Sequence, residues 1–173
     1  MQDFFDLLKY VLPSLVVFGT AYYLIQMMLN GDANRRKAEM SMANRKISTP
    51  LRLQAYERLA LFLERIALNS LIIRTAKADM TAMDLQRSLL ANIRHEFEHN
   101  LSQQIYVSDA SWESVKMAKE NTIKIINKVA DSVPKDVPAM ELSKKIFSVI
   151  MQAETSPSEL ALAVIKNDAR TLL

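Results

Sequence analysis

The chain has 173 residues, 50% hydrophobic and 24% charged, with a formal net charge of +3. That leaves room for one folded domain and an appendage, and it is too apolar for a disordered chain. The lack of cysteine excludes disulfides, thiolate metal sites, iron–sulfur clusters and cysteine nucleophiles, while only two glycines and five prolines argue for long helices over many short strands.

The first predicted element is an apolar run. Residues 10–31, YVLPSLVVFGTAYYLIQMMLNG, contain no charged side chain. As a helix these 22 residues span about 33 Å, enough for a bilayer core of about 30 Å. Tyr10 at one end and Tyr22 and Tyr23 towards the other suit interfacial depths. Pro13 falls early, where a first helical turn needs no N–H donor. A cleaved signal peptide is the first alternative, but Asp3 and Asp6 precede the run and no A-x-A site follows it. A buried core helix is the second, and the run exceeds its usual length. The expectation is a transmembrane anchor over residues 1–31, meeting the lipid bilayer through residues 10–31.

Residues 32–47 form a basic juxtamembrane stalk. Arg35, Arg36, Lys37, Arg45 and Lys46 stand against Asp32 and Glu39. By the positive-inside rule this collar is topogenic: it puts the N-terminus outside and the C-terminal part in the cytoplasm, with these five residues at the lipid headgroups. The stalk either extends the membrane helix or forms a short helix of its own.

Residues 48–173 read as a helical cytoplasmic domain, a bundle of about five helices. Ser48 or Thr49 caps the first, with Pro50 in its opening turn. Leu51, Tyr56, Leu59, Leu63 and Ile66 make its buried stripe, and the helix is expected to weaken over residues 69–79. Thr81 with Asp84 is a capping box for the second helix. Leu85, Leu89, Ile93, Phe97, Leu101 and Ile105 follow at steps of four, forming one slowly rotating stripe. The third helix, capped by Ser108 or Asp109, carries Trp112, Val115, Ile123, Ile126 and Val129, and ends by Val133 because Pro134 follows. Residues 140–153 form the fourth, anchored by Ile146, Phe147 and Ile150. The last opens on Ser156, Pro157 and Glu159, a second capping box, and carries Leu160, Val164 and Ile165.

One motif carries candidate chemistry. His95, Glu96, Phe97, Glu98 and His99 spell H-E-x-x-H, the zinc-peptidase signature, and these are the chain's two histidines. With Phe97 in the stripe, both imidazoles fall about 160° away, on the opposite face and about 40° from each other. They are spaced as a zinc pair, but a catalytic zinc needs a third protein ligand. Without further His or Cys that ligand is an Asp or Glu; Glu120 on the next helix makes one conceivable, but nothing in the sequence signals it. Arg94 and Glu98 give the segment a solvated character, and no strand is available to align a peptide substrate. The expectation is a surface pair, with His95, Glu98 and His99 forming a partner surface; the alternative is a membrane-anchored zinc hydrolase built on residues 95–99. Asn100 and Gln104 lie nearer the stripe, where they are placed to hydrogen-bond across helices.

No Gly-rich phosphate loop, nucleophile elbow or basic face suited to nucleic acid is present. No cofactor or small-molecule substrate is expected. With YERLALFLERI (56–66) and EFEHNLSQQIYVS (96–108), the chain resembles small single-span helical membrane proteins of Bacteroidota-type bacteria with no assigned function. The resemblance implies an inner-membrane location and transfers no catalytic residue. The expected role is non-catalytic: a tethered scaffold, adaptor or accessory subunit that binds other membrane or cytoplasmic proteins.

Overall fold

The computed structural model describes the backbone of residues 2–172 and the side chains of residues 13–28, 35–36, 39–40, 42–43 and 45–172. The chain is all-α. Its helices are α1 (Gln2–Ile66), α2 (Leu68–Thr75), α3 (Ala82–His99), a 3₁₀ segment (Leu101–Ile105), α4 (Asp109–Ala130), α5 (Ala139–Gln152) and α6 (Pro157–Arg170). Two compact units divide at residue 48, Met1–Ser48 and Thr49–Leu173.

The first unit is helical throughout. Between residues 13 and 28 its side chains are exposed on every face. Thr20 donates its hydroxyl to the carbonyls of Val16 and Val17, and Gln26 donates to the Tyr22 hydroxyl, so these polar groups find partners within the helix. Among the described residues no helix is long and apolar enough to cross a membrane. The expected anchor is therefore unsupported at this level. Both ends of the uncharged run, residues 10–12 and 29–31, have side chains outside the described ones.

The second unit is a packed bundle. Tyr56, Leu59, Phe62, Leu63 and Ile66 of α1 are buried at three- and four-residue steps, as expected of a core-facing stripe. The predicted start at Ser48 to Pro50 is not used: α1 runs through it. Pro50 lacks the N–H that would bond the carbonyl of residue 46, a bond that α1 goes without at this point. The predicted weakening over residues 69–79 falls in two places, a one-residue break before it at Ala67 and a loop over residues 76–80, with residues 69–75 helical between them. Ala67 turns to extended ψ (125°), and α2 follows at once. Its Leu68, Leu71, Ile72 and Thr75 are buried at helical spacing, a stripe too short to stand out in the sequence. Arg74 donates to the Arg65 carbonyl, one of those the break leaves without a helical partner.

The α3 start is accounted for donor by donor. Asp84 N–H goes to the Thr81 hydroxyl and Leu85 N–H to the Thr81 carbonyl, completing the predicted box. The N–H groups of Ala82 and Met83 reach the carbonyls of Val137 and Lys135, and Ala139 N–H reaches Met80 O. The two connections thereby pin the starts of α3 and α5 together. Leu85, Leu89 and Ile93 are fully buried, but the stripe stops at Phe97. Beyond Asn100 the backbone tightens to 3₁₀, which rotates the later positions. Leu101 and Ile105 are turned outward, and Gln103 is buried instead. Phe97 joins three helices: its ring lies 5.8 Å from Phe62, stacks on Trp112 at 5.5 Å and carries Lys119 Nζ 4.1 Å above it.

The strongest polar tie is centred on Asp168, near the end of α6. One of its oxygens, Oδ2, accepts hydrogen bonds from Tyr56 of α1 (2.6 Å), Ser111 of α4 (2.7 Å) and the α4 cap Ser108. Ser108 Oγ also accepts Ser111 N–H, so the carboxylate sits over the α4 N-terminus, where the helix dipole favours it. Burial pushes the Asp168 carboxyl up, but the donors Ser108, Tyr56 and Ser111, with Arg52 nearby, together hold it below the ordinary range. Sequence reading missed this tie. Tyr56 in an apolar stripe was its one trace, since a buried tyrosine hydroxyl needs a partner.

Removing the acceptor leaves three hydroxyls unsatisfied, so Asp168→Ala is expected to cost about 2–4 kcal/mol and Tyr56→Phe about 1 kcal/mol in urea unfolding. A depressed folded pKa stabilises above the ordinary value of 3.8 and loses that stabilisation as pH falls through the folded value. The stability gap between the native chain and Asp168→Asn should therefore narrow below about pH 4; a gap independent of pH would refute the ionised tie.

Candidate functional site

Within the second unit three helix ends converge on a cleft of about 330 Å³. The α1–α2 break supplies Leu63, Ala67 and Leu68, α4 supplies Ile125, the end of α5 supplies Val149 and Ile150, and the start of α6 supplies Pro157 and Leu162. Glu64, Glu154 and Glu159 stand among these apolar walls, and no Lys, Arg or His lines the space. Glu159 is committed to the α6 capping box. Backbone and hydroxyl donors of Ser156 hold its carboxyl below the usual range. Glu64 and Glu154 are exposed and have no ion-pair partner among the described residues. The hydroxyls of Thr122 and Ser156 are spent locally, on the Ala118 carbonyl and the Glu159 N–H.

Volume and lining suit a ligand with an apolar body. The C-terminus of α5 brings partial negative charge to the walls, that of α1 is offset by the positive end of α2, which starts at Leu68 in the lining, and the positive end of α6 is offset by its own Glu159. The site is therefore electronegative as well as apolar. Sequence reading did not find it, because the cleft arises where helix ends meet and no local pattern marks that.

The histidine pair lies elsewhere, on the outer face of α3. His95 and His99 are exposed, with ring centroids 4.2 Å apart. His99 Nδ1 lies 2.8 Å from the His95 carbonyl. As that oxygen can only accept, Nδ1 carries a proton. Glu96 turns back to an ion pair with Arg65 at 3.3 Å, and Glu98 is exposed. Glu120, the conceivable third ligand, pairs with Lys119 at 2.9 Å, which holds its carboxyl below the usual range. Among the described residues no group of three His, Cys, Asp or Glu is placed to hold a metal ion. The helical geometry expected of HEFEH thus holds: Phe97 inward and both imidazoles outward.

Asn100 and Gln104 do not bridge helices as expected. Asn100 is buried but bonds the Glu96 carbonyl of its own helix, and Gln104 is exposed. The cross-helix amide bonds are Gln86 to Asn127 and Asn92 to Thr75. Of the collar, Arg35, Arg36, Arg45 and Lys46 are exposed, and Arg35 pairs with Glu39 at 3.0 Å. The Lys37 side chain lies outside the described residues.

A family model spans residues 2–172, almost the entire chain. The chain belongs to DUF7935, a family of unknown function. No curated protein and no solved structure matches it. The resemblance to proteins without an assigned activity therefore holds at the level of DUF7935, and the bacterial group and the membrane span are no part of the match.

Unlike Phe97, the two histidines make no core contact. Replacing both with alanine is expected to change unfolding free energy by under about 0.5 kcal/mol, against about 2–4 kcal/mol for Phe97→Ala. A large loss in the histidine double variant would show that the pair holds the fold together.

Proposed function

We propose that this DUF7935 chain is a non-catalytic, membrane-tethered scaffold or adaptor, with its first unit in the bilayer and its second unit presenting a docking surface in the cytoplasm. The observation that carries the tether is the exposure of Leu15, Val16, Val17 and Phe18, four consecutive residues each at least 60% exposed. At about 100° per residue they cover every face of the helix. A helix that is apolar all round needs a non-aqueous cover, and in a run of 22 uncharged residues lipid is the natural one. The satisfied Thr20 and Gln26 side chains favour the same environment, since unpaired polar groups are costly in hydrocarbon.

The basic collar orients the tether, and the helix divides it. At about 1.5 Å per residue, Arg35 and Arg36 stand about 6–8 Å beyond Gly31, within a Debye length of the headgroups. Arg45 and Lys46 stand about 21–23 Å beyond Gly31 along the helix. In an upright helix Arg35 and Arg36 carry the topogenic role and the distal pair faces the aqueous side. The adaptor reading rests on what the second unit offers: an apolar cleft carrying the unpaired carboxylates of Glu64 and Glu154, and an outward His95–His99 face.

The chain's lack of cysteine makes single introduced thiols clean topology reporters. The protein should stay with membranes after an alkaline carbonate wash. Asp3→Cys should react with a membrane-impermeant thiol reagent in spheroplasts, and Ser48→Cys only after lysis. Val17→Arg with Phe18→Arg, each costing about 2.5–3.5 kcal/mol of insertion, should release the chain. Recovery of the unaltered chain in the soluble fraction would refute the tether.

A further inference from the structure

We infer that the cleft between the α1–α2 break, α4, the end of α5 and the start of α6 is the docking site for a basic amphipathic helix of a partner protein. The inference deepens the adaptor reading above and rests on it. The first argument is size. At about 330 Å³ the cleft has roughly twice the volume of a cavity of about 150 Å³ that takes up one benzene. It therefore suits two large aliphatic side chains, such as leucines one turn apart on one helix face. The second is shape. The walls are side chains of helices that end there, so the cleft lies open along the α5–α6 connection, where Ala153, Glu154 and Thr155 are exposed.

The third argument selects the charge. Glu64 and Glu154 reach the lining from different elements, α1 and the α5–α6 connection, and neither has an ion-pair partner among the described residues. The C-terminus of α5 adds partial negative charge, and among the described residues no Lys, Arg or His lines the cleft to offset the two carboxylates. An acidic helix would meet repulsion at each of these groups, while lysines or arginines flanking the apolar pair would meet complementary charge. The occupant is thus apolar at its centre and basic at its ends.

The test uses the full chain in nanodiscs of zwitterionic phosphatidylcholine, so that a basic probe finds no anionic lipid. The probe is a short fluorescent alanine-based helical peptide with two leucines one turn apart and paired lysines at each end, titrated by anisotropy. It should bind, and its affinity should fall about tenfold or more when the lysines become glutamates or the leucines become alanines. Glu64→Lys with Glu154→Lys should weaken binding about tenfold without moving the melting midpoint, because both side chains are exposed. Ala153→Trp, which fills the mouth, should weaken it as well. Absence of binding, equal binding of the acidic peptide, or indifference to both the charge reversal and Ala153→Trp would overturn the inference. If the chain proves soluble without lipid, the tether fails on its own, and the same titration in buffer still reads the cleft.

Discussion

One carboxylate oxygen, on Asp168, accepts hydroxyl protons from Tyr56, Ser108 and Ser111, and the bundle is organised around that point. The three donors come from α1 and from the start of α4, so the tie fixes the last turn of α6 against two other helices at once. The opposite end of α6 is closed by its own Ser156–Glu159 capping box. A helix tied to two others has little freedom to slide. The cleft depends on this, because the N-terminal turn of α6 is one of its walls. Charge-assisted hydrogen bonds in a half-buried site are strong, but they require all three donors to be satisfied by one acceptor. That requirement is also why the network is a poor candidate for catalysis. A carboxylate saturated with donors and held below its ordinary pKa has little capacity to take a proton from a substrate.

The two units show apolar residues meeting two different fates. In the second unit Leu59, Leu63, Leu85, Leu89 and Ile146 are fully buried, and every buried side-chain nitrogen or oxygen among the described residues has a partner. In the first, Leu15, Val17 and Leu24 are as apolar and stand exposed. Water penalises such a surface at about 25 cal/mol per Å², so covering this helix would be favourable. The polar side chains point the same way. Thr20 and Gln26 bond groups of their own helix although both are exposed. The surface chemistry of the two units thus separates them more sharply than their secondary structure does, since both are helical.

Much of the bundle was legible because its signals are local. Thr81 with Asp84, Ser108 and Ser156 with Glu159 each mark a helix start within four residues, and each cap is made. Pro134 limits α4 for an equally local reason. What was not legible is what depends on distance or on small departures from ideal geometry. The Asp168 tie joins residues 57 to 112 apart in sequence, and only Tyr56, a hydroxyl in an apolar stripe, stands out in its own neighbourhood. The stripe of α3 was extrapolated at a constant period, and one 3₁₀ segment was enough to turn Leu101 and Ile105 outward. The short α2 was hidden because a break at a single residue, Ala67, leaves no glycine or proline to announce it.

HEFEH shows how letters and geometry part company. The motif requires two imidazoles one turn apart, and the helix supplies that. It also requires a third ligand and enclosing walls. Among the described residues Glu96 is drawn to Arg65 and Glu120 to Lys119, so neighbouring carboxylates are neutralised by partners that a metal would have to displace. The cleft presents the opposite situation. It has walls and unpaired carboxylates, but no sequence motif and no imidazole. A recognition site for a cationic helix needs only those two things, apolar enclosure and uncompensated negative charge, and neither has a fixed spacing in sequence. For this chain the more specific-looking pattern is the weaker guide, because spacing along one helix says nothing about what the rest of the fold brings to it.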